Sequence, residues 1–348
     1  MSDEKSKATL LKEEIMMKGS KGVATLNAEE IKKADDFCVG YKKFLDHSPV
    51  EREAVSYTLE LAKKAGFTEY DENASYNAGD KVYYVNRDKA IALAVIGKNG
   101  VKNGARLAIA HIDSPRIDLK PNPLYEDTNL ALFKTHYYGG LKKYQWTALP
   151  LSLHGTVVKL DGTKVNITWG DDENESCFCV TDLLPHLAKD QVSKPLAKVF
   201  TGEDLNVLVG SRPYEDGNDE KDLVKLNVMS ILNKKYGIVE GDFLSAELCL
   251  IPSFKARDIG FDASMIGGYG HDDKVCAYPA VMASLDVETP EQTCVTYLTD
   301  KEETGSDGNT GMQSDFLRYF IYDLAKQDGI DGCLLYTSPS PRDRQKSR

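Results

Sequence analysis

The 348-residue chain has no Cys-x-x-Cys pair, no apolar run long enough to span a bilayer, and no excess of basic residues. Its seven cysteines (Cys38, Cys177, Cys179, Cys249, Cys276, Cys294, Cys333) are scattered and odd in number, which argues against a disulfide framework. Most lie in apolar runs, where a free thiol behaves as a small buried hydrophobe, so a reducing, cytoplasmic compartment is expected. Lys and Arg total 43 against 54 Asp and Glu, a net charge of -11. That balance lacks the basic faces that nucleic acids and anionic membranes require, so neither is expected as a partner. Met1-Ser2-Asp3-Glu4-Lys5 opens nothing like a signal peptide. What is present, 41% hydrophobic and 28% charged residues, is an ordinary globular composition with length enough for two domains.

Residues 1–26 are polar, with a short helix expected around Leu10 to Met17. Ser48-Pro49-Val50-Glu51 has the form of a capping box opening a helix that Gly66 ends, with Val55, Leu59, Leu61 and Ala62 on its apolar face. Tyr83 to Val85, Ala90 to Ile96 and Arg106 to Ala110 are expected strands, the last running into His111-Ile112-Asp113-Ser114-Pro115. After Lys120 the pattern changes to short strands with tight turns (residues 147–170), expected helices at Asp182–Ala188 and Val224–Leu232, and a polar loop from Gly210 to Asp222. Leu248 to Pro252 then resumes the buried-strand character. These shifts place an inserted, mainly-β domain at 121–245 within a discontinuous α/β domain, 1–120 plus 246–332. Residues 333–348 lack periodicity, turn abruptly basic and are expected to be a non-native, adapter-like tail, the natural chain continuing past Gly332.

Three segments carry metal-compatible chemistry at the ends of expected strands, where α/β sheets place their sites. His111 with Asp113 offers an imidazole and a carboxylate that can orient it. His271-Asp272-Asp273 follows a Gly-rich approach and opens a helix, and Glu302-Glu303 follows the apolar run Cys294 to Leu298. Two adjacent carboxylates repel unless a cation sits beside them. A histidine with several carboxylates and no thiolate suits a catalytic zinc, cobalt or manganese site. Each piece alone has a blander explanation: a buried histidine, a helix N-cap, a solvated acidic turn. Asp171 to Glu175 and Asp216 to Glu220 are acidic without calcium-loop spacing, and Tyr137, Tyr138 and Trp146 are expected as core or interface aromatics.

Ala110-His111-Ile112-Asp113-Ser114-Pro115, Gly270-His271-Asp272-Asp273 and Asp300-Lys301-Glu302-Glu303-Thr304-Gly305-Ser306, with Gly308 to Ser314, resemble the signature segments of the aspartyl aminopeptidase family of dinuclear zinc aminopeptidases. The resemblance runs from about residue 37 to 332. It implies a mixed-sheet zinc-peptidase domain with helices on both faces, interrupted by a dimerisation domain, and assembly into a homo-oligomeric dodecamer. It also implies two divalent ions held by His111, Asp272 (bridging, in a cis peptide with Asp273) and Glu303, with Asp113 steadying His111 and Glu302 as general base. Two further ligands, an Asp and a His, are expected later in the family's chains; no histidine follows His271 here, so the chain as written is expected to hold metal poorly and to be inactive. His186 is the candidate for a histidine presented to a neighbouring subunit, an ordinary helix histidine being the competing explanation. The implied activity is removal of single N-terminal residues, acidic or neutral, from peptides with a free N-terminus. A related carboxypeptidase or deacylase, and a non-catalytic assembly protein, are the alternatives.

Overall fold

The computed structural model describes residues 6–17, 19, 22–215 and 220–330. The tail 333–348 and the centre of the 210–222 loop lie outside that range. Three helices open the chain: α1 (Lys7–Ile15), α2 (Ala28–His47) and α3 (Glu51–Lys64). Four strands follow, β1 (Thr68–Glu69), β2 (Lys81–Asn86), β3 (Ala90–Val95) and β4 (Arg106–His111). The middle supplies β5 (Arg116–Asp127), β6 (Leu130–Tyr138), β7 (Leu151–Val158) and β8 (Lys164–Trp169). It continues with one helical turn α4 (Lys189–Val192), then β9 (Val207–Gly210), α5 (Leu223–Tyr236) and β10 (Ala246–Pro252). A short hairpin, β11 (Arg257–Ile259) and β12 (Met265–Gly267), leads to α6 (His271–Asp286), β13 (Cys294–Thr299) and α7 (Phe316–Gln327).

The first sheet has five strands in the order β1-β2-β3-β13-β4. It is mixed: β13 runs antiparallel to β3 and parallel to β4. Every residue of β3 is buried, and the alternation of a strand divides them between two cores. Ile91, Leu93 and Val95 meet α2, α3 and α6 through Phe44, Val55, Ala62, Tyr278 and Val281. Ala90, Ala92 and Ala94 share the other face with Leu317, Phe320 and Leu324 of α7. Helices therefore cover both faces of a mixed sheet, as expected.

The second sheet has six strands, all antiparallel, in the order β8-β7-β10-β5-β6-β9, over a core of its own around Phe133, Leu151, Leu153, Ile167 and Leu250. Its strands extend from Arg116 to Pro252, beyond the 121–245 span drawn from sequence, because β10 pairs with β5 and β7 rather than joining the first sheet.

Local signals explain several boundaries. The Asn27 side chain accepts from the Glu29 and Glu30 amides while the Glu30 carboxylate accepts from the Asn27 amide, closing a capping box at α2. Gly66, at φ +86°, ends α3, and the Phe67 amide returns to the Ala62 carbonyl. Two expectations need correction. Ser48 does not cap α3: Val50 is the cap residue without a side-chain bond, and Glu51 is drawn instead into an ion pair with Arg116. The Asp182–Ala188 segment is no helix but an extended stretch with a turn at Pro185–Leu187, because Pro185 cannot donate within a helix. Among the described residues no helix is long and apolar enough to cross a membrane.

Candidate active site

β4 and β13 lie side by side and parallel, with His111 opposite Thr299 at their last pair. Whatever follows the two strands therefore emerges at the same edge. On β13 this is Asp300, fully buried, whose carboxylate accepts from the Lys301 amide at 2.8 Å and the Thr310 hydroxyl at 2.9 Å. Those bonds fold the glycine-rich segment back against the strand end. Lys301 then takes a left-handed conformation (φ +72°), and a 3₁₀ turn, Glu302–Thr304, points both glutamates away from the alternation of a strand. The third segment arrives from α6, whose first residues lie against β4; the Asp272–Asp273 peptide is cis. The Asp272 carbonyl accepts from the Ser114 hydroxyl at 3.2 Å, and Ser114 accepts at 2.9 Å from Lys274, which is wholly buried.

His111 is the centre of the cluster. Its Nδ1 faces the Asp113 carbonyl at 3.0 Å, an atom that can only accept, so Nδ1 carries the proton. Nε2 then points at Asp272 Oδ1, 3.1 Å away, and at Glu302 Oε2, 3.7 Å away. Asp113, completely buried, takes the Glu302 amide on Oδ1 and the Glu303 amide on Oδ2, each at 3.2 Å, and the Tyr138 hydroxyl at 2.7 Å. One carboxylate thus holds an imidazole, a backbone turn and a tyrosine from the second sheet. Burial alone would depress the His111 pKa, but the bond and charge of Asp113, with Glu302, outweigh it and hold the ring at about 9. For Glu303, burial and then the charge of Asp113 push the pKa above its ordinary value.

Residues 44–331 match the family described as aminopeptidase I zinc metalloprotease (M18). A probable M18 family aminopeptidase 1 from Clostridium acetobutylicum is 50% identical over 288 residues, covering 82% of this chain and 62% of its own length. The chain belongs to the M18 family. The crystal structure of the M18 aminopeptidase from Thermotoga maritima superposes with a TM-score of 0.86 at 41% identity, covering 92% of this chain and 69% of that one. The S. cerevesiae mApe1 dodecamer, at 19% identity and TM-score 0.65, covers 85% of this chain and 67% of that one and shares the fold. The chain thus spans less than two thirds of the Clostridium relative's length.

The donor set of this M18 chain fits a divalent cation. Single ligand atoms of His111, Glu302 and Glu303 lie within 4.8 Å of one another, and Asp272 adjoins them across the His111 Nε2. An imidazole lone pair on Nε2 facing carboxylate oxygens is repulsive unless a proton or a metal ion lies between them. The oxygens are also accessible: the Asp272 and Glu302 side chains are 86% and 56% exposed, whereas His111 is buried. Both Glu302 and Glu303 are within ligand range, so position alone does not divide their roles.

Of the residues singled out from sequence, His111, Asp113, Asp272, Glu302 and Glu303 converge. His186 does not join them; it is exposed on the Pro185–Leu187 turn. Sequence reasoning expected Tyr138 as a core or interface aromatic, which it is, but missed its bond to Asp113, and it missed Lys274. The tyrosine's signal was the Tyr138-Gly139-Gly140 step, whose first glycine lets the backbone come close to Glu303.

Proposed function

We propose that these residues form the catalytic half-site of a zinc aminopeptidase that removes single N-terminal residues, acidic ones preferred and neutral ones accepted. The reading rests on one observation: His111 Nε2, Asp272, Glu302 and Glu303 meet, exposed on one side, where β4 and β13 end together. His111, Asp272 and Glu303 would hold the metal. When bound, two zinc ions supply Lewis acidity toward the scissile carbonyl and the free amine, and water of lowered pKa. Glu302, the more exposed of the pair, takes the proton of the attacking water and passes it to the leaving amine. Asp113 keeps the His111 proton on Nδ1 and so leaves Nε2 for the metal.

The second sheet would serve as the pairing surface of a homo-oligomer of the dodecameric kind. His186 would reach a neighbouring site from a turn flanked by Leu183, Leu184 and Leu187, all exposed and suited to being covered by another copy. A cytoplasmic location is supported by the free thiols Cys38, Cys177, Cys179, Cys249, Cys276 and Cys294.

The decisive experiment is Glu302→Gln in a version extended to the relatives' length. Hydrolysis of a free-amine acidic peptide should fall at least ~10²-fold with zinc retained. Full activity in that variant removes Glu302 as the base. Equal cleavage of an N-terminally blocked peptide would remove the aminopeptidase assignment.

A further inference from the structure

We propose that Tyr138 is a positioning residue of this site, through which the second sheet fixes the Glu302–Glu303 turn. The inference rests on the metal-site reading above but can fail separately from it. Tyr138 ends β6 and is held there from both directions. It pairs in register with Arg116 of β5, whose guanidinium carbon lies 4.2 Å from the ring centroid, while Lys301 Nζ lies 5.4 Å from it. The ring is buried, and its hydroxyl has one acidic target: Asp113 Oδ2 at 2.7 Å.

That same oxygen accepts the Glu303 amide, and its twin accepts the Glu302 amide. An ionised carboxylate only accepts, so each of these donors adds to fixing its plane. A hydrogen bond to a charged acceptor in a buried setting is among the stronger kinds, and its loss frees the carboxylate to rotate. The next residue reinforces the contact. Gly139 lies at φ +71°, and a Cβ there would come within 3.0 Å of both Cβ and Oε2 of Glu303. Tyr138-Gly139 is therefore a two-point clamp: the hydroxyl sets Asp113, and bare backbone sets the side of Glu303. Both contacts are made to site residues, so the effect passes through Asp113 and Glu303.

Tyr138→Phe in the 348-residue chain removes the hydroxyl and keeps the ring between Arg116 and Lys301, with Tyr137→Phe on the exposed neighbour as control. Amide exchange of the 299–306 segment should rise about tenfold in Tyr138→Phe while the β3 segment 90–95 is unchanged, and zinc affinity in the version extended to the relatives' length, measured by competition with a chromophoric chelator, should fall about 10- to 100-fold. Gly139→Ala should weaken zinc by a similar factor and leave the Glu302 amide protected. Unchanged exchange over 299–306 in Tyr138→Phe overturns the positioning role, whatever zinc does. Faster exchange there with unaltered zinc affinity supports the positioning role and removes the metal-site reading instead.

Discussion

The Tyr138 hydroxyl touches one charged cluster and its ring face touches another, and the two are built differently. Toward Arg116 lies a seam between the sheets. Arg116 Nη1 donates to Glu51 at 2.6 Å and Nε to Asp118 at 2.8 Å; Lys89 lies 3.4 Å from Glu51 and 3.0 Å from Glu247, which also takes Arg52 at 2.6 Å. Three cations meet three carboxylates. Burial would raise the Glu51 pKa, yet Arg116 and Lys89 hold it well below the usual carboxylate range. Toward Asp113 the balance fails: four carboxylates, Asp113, Asp272, Glu302 and Glu303, surround one imidazole. Here Glu303 is pushed up, not down. A buried seam that supplies its own counter-charges has a structural reading. A cluster with surplus carboxylate on an open edge is arranged for a cation from outside.

The sharpest way to break that contrast is a pair of isosteric changes. Glu51→Gln takes away the buried counter-charge of Arg116, leaving it only Asp118 at the edge, and should cost about 3–5 kcal/mol in denaturant unfolding. Glu303→Gln should change metal-free stability by less than about 1 kcal/mol, because it removes one of several mutually repelling groups, yet should abolish zinc binding in the version extended to the relatives' length. If Glu303→Gln destabilises as much as Glu51→Gln, the clusters do not differ in kind.

A second test compares two histidines. Like His111, His154 is held at about 9 against burial, in its case by Asp171 and Glu53. Its Nδ1 lies 3.0 Å from Glu53 and its Nε2 3.1 Å from Asp171, so both nitrogens face carboxylates and the ring belongs as a cation. A rise from 6.5 to about 9 corresponds to ~3 kcal/mol. Because the folded pKa is raised, that stability is complete below about pH 6.5 and is lost as pH climbs through about 9. At the acid end Asp171, held at about 2, keeps its contribution above pH 3.8 and loses it as pH falls through 2; the two shifts express one interaction and are not added. Unfolding free energies from pH 6 to 10 should slope downward in the parent and flatten in His154→Gln. An equal slope in both would remove His154 as the link between α3 and the second sheet.

Zinc should distinguish the same two rings. At a hundredfold excess over its dissociation constant it should add about 2.7 kcal/mol to the folded state, measured as a rise in Tm. That gain should vanish in His111→Ala and survive in His154→Gln. Loss of the gain in both would place the metal elsewhere.

The contrast also explains what the sequence disclosed. Four strands of the first sheet were legible, β3 as an unbroken apolar run and β13 as one broken only by Thr296 before its end, whereas the two-residue β1 was not; the three ligand segments were legible because dense carboxylates beside glycines are costly without a purpose. The partition between sheets was not legible. Leu248 to Pro252 has the same buried pattern as β3, and only hydrogen bonding to β5 and β7 assigns it to the second sheet. Tyr138 was opaque for a related reason: its role depends on Asp113, 25 residues earlier, through a fold-back that no local pattern encodes. Likewise His154 and His111 are both single histidines at strand positions, and only the fold shows that one lies between two carboxylates in the interior and the other beside an open carboxylate cluster.

The smallest expected effect bears on the seam's edge. Ser48-Pro49-Val50-Glu51 has the spacing of a capping box, yet Glu51 reaches Arg116 and Lys89, and the buried Ser48 hydroxyl finds no partner among the described residues. The competition is decided by magnitude: a capping bond is worth about 1 kcal/mol, whereas taking the buried Glu51 charge from Arg116 and Lys89 costs several. Ser48→Ala should therefore shift stability by less than about 0.5 kcal/mol, where loss of a true cap costs about 0.5–2. A loss of 1 kcal/mol or more in urea unfolding would restore the capping role and weaken the claim that the seam has taken Glu51 for itself.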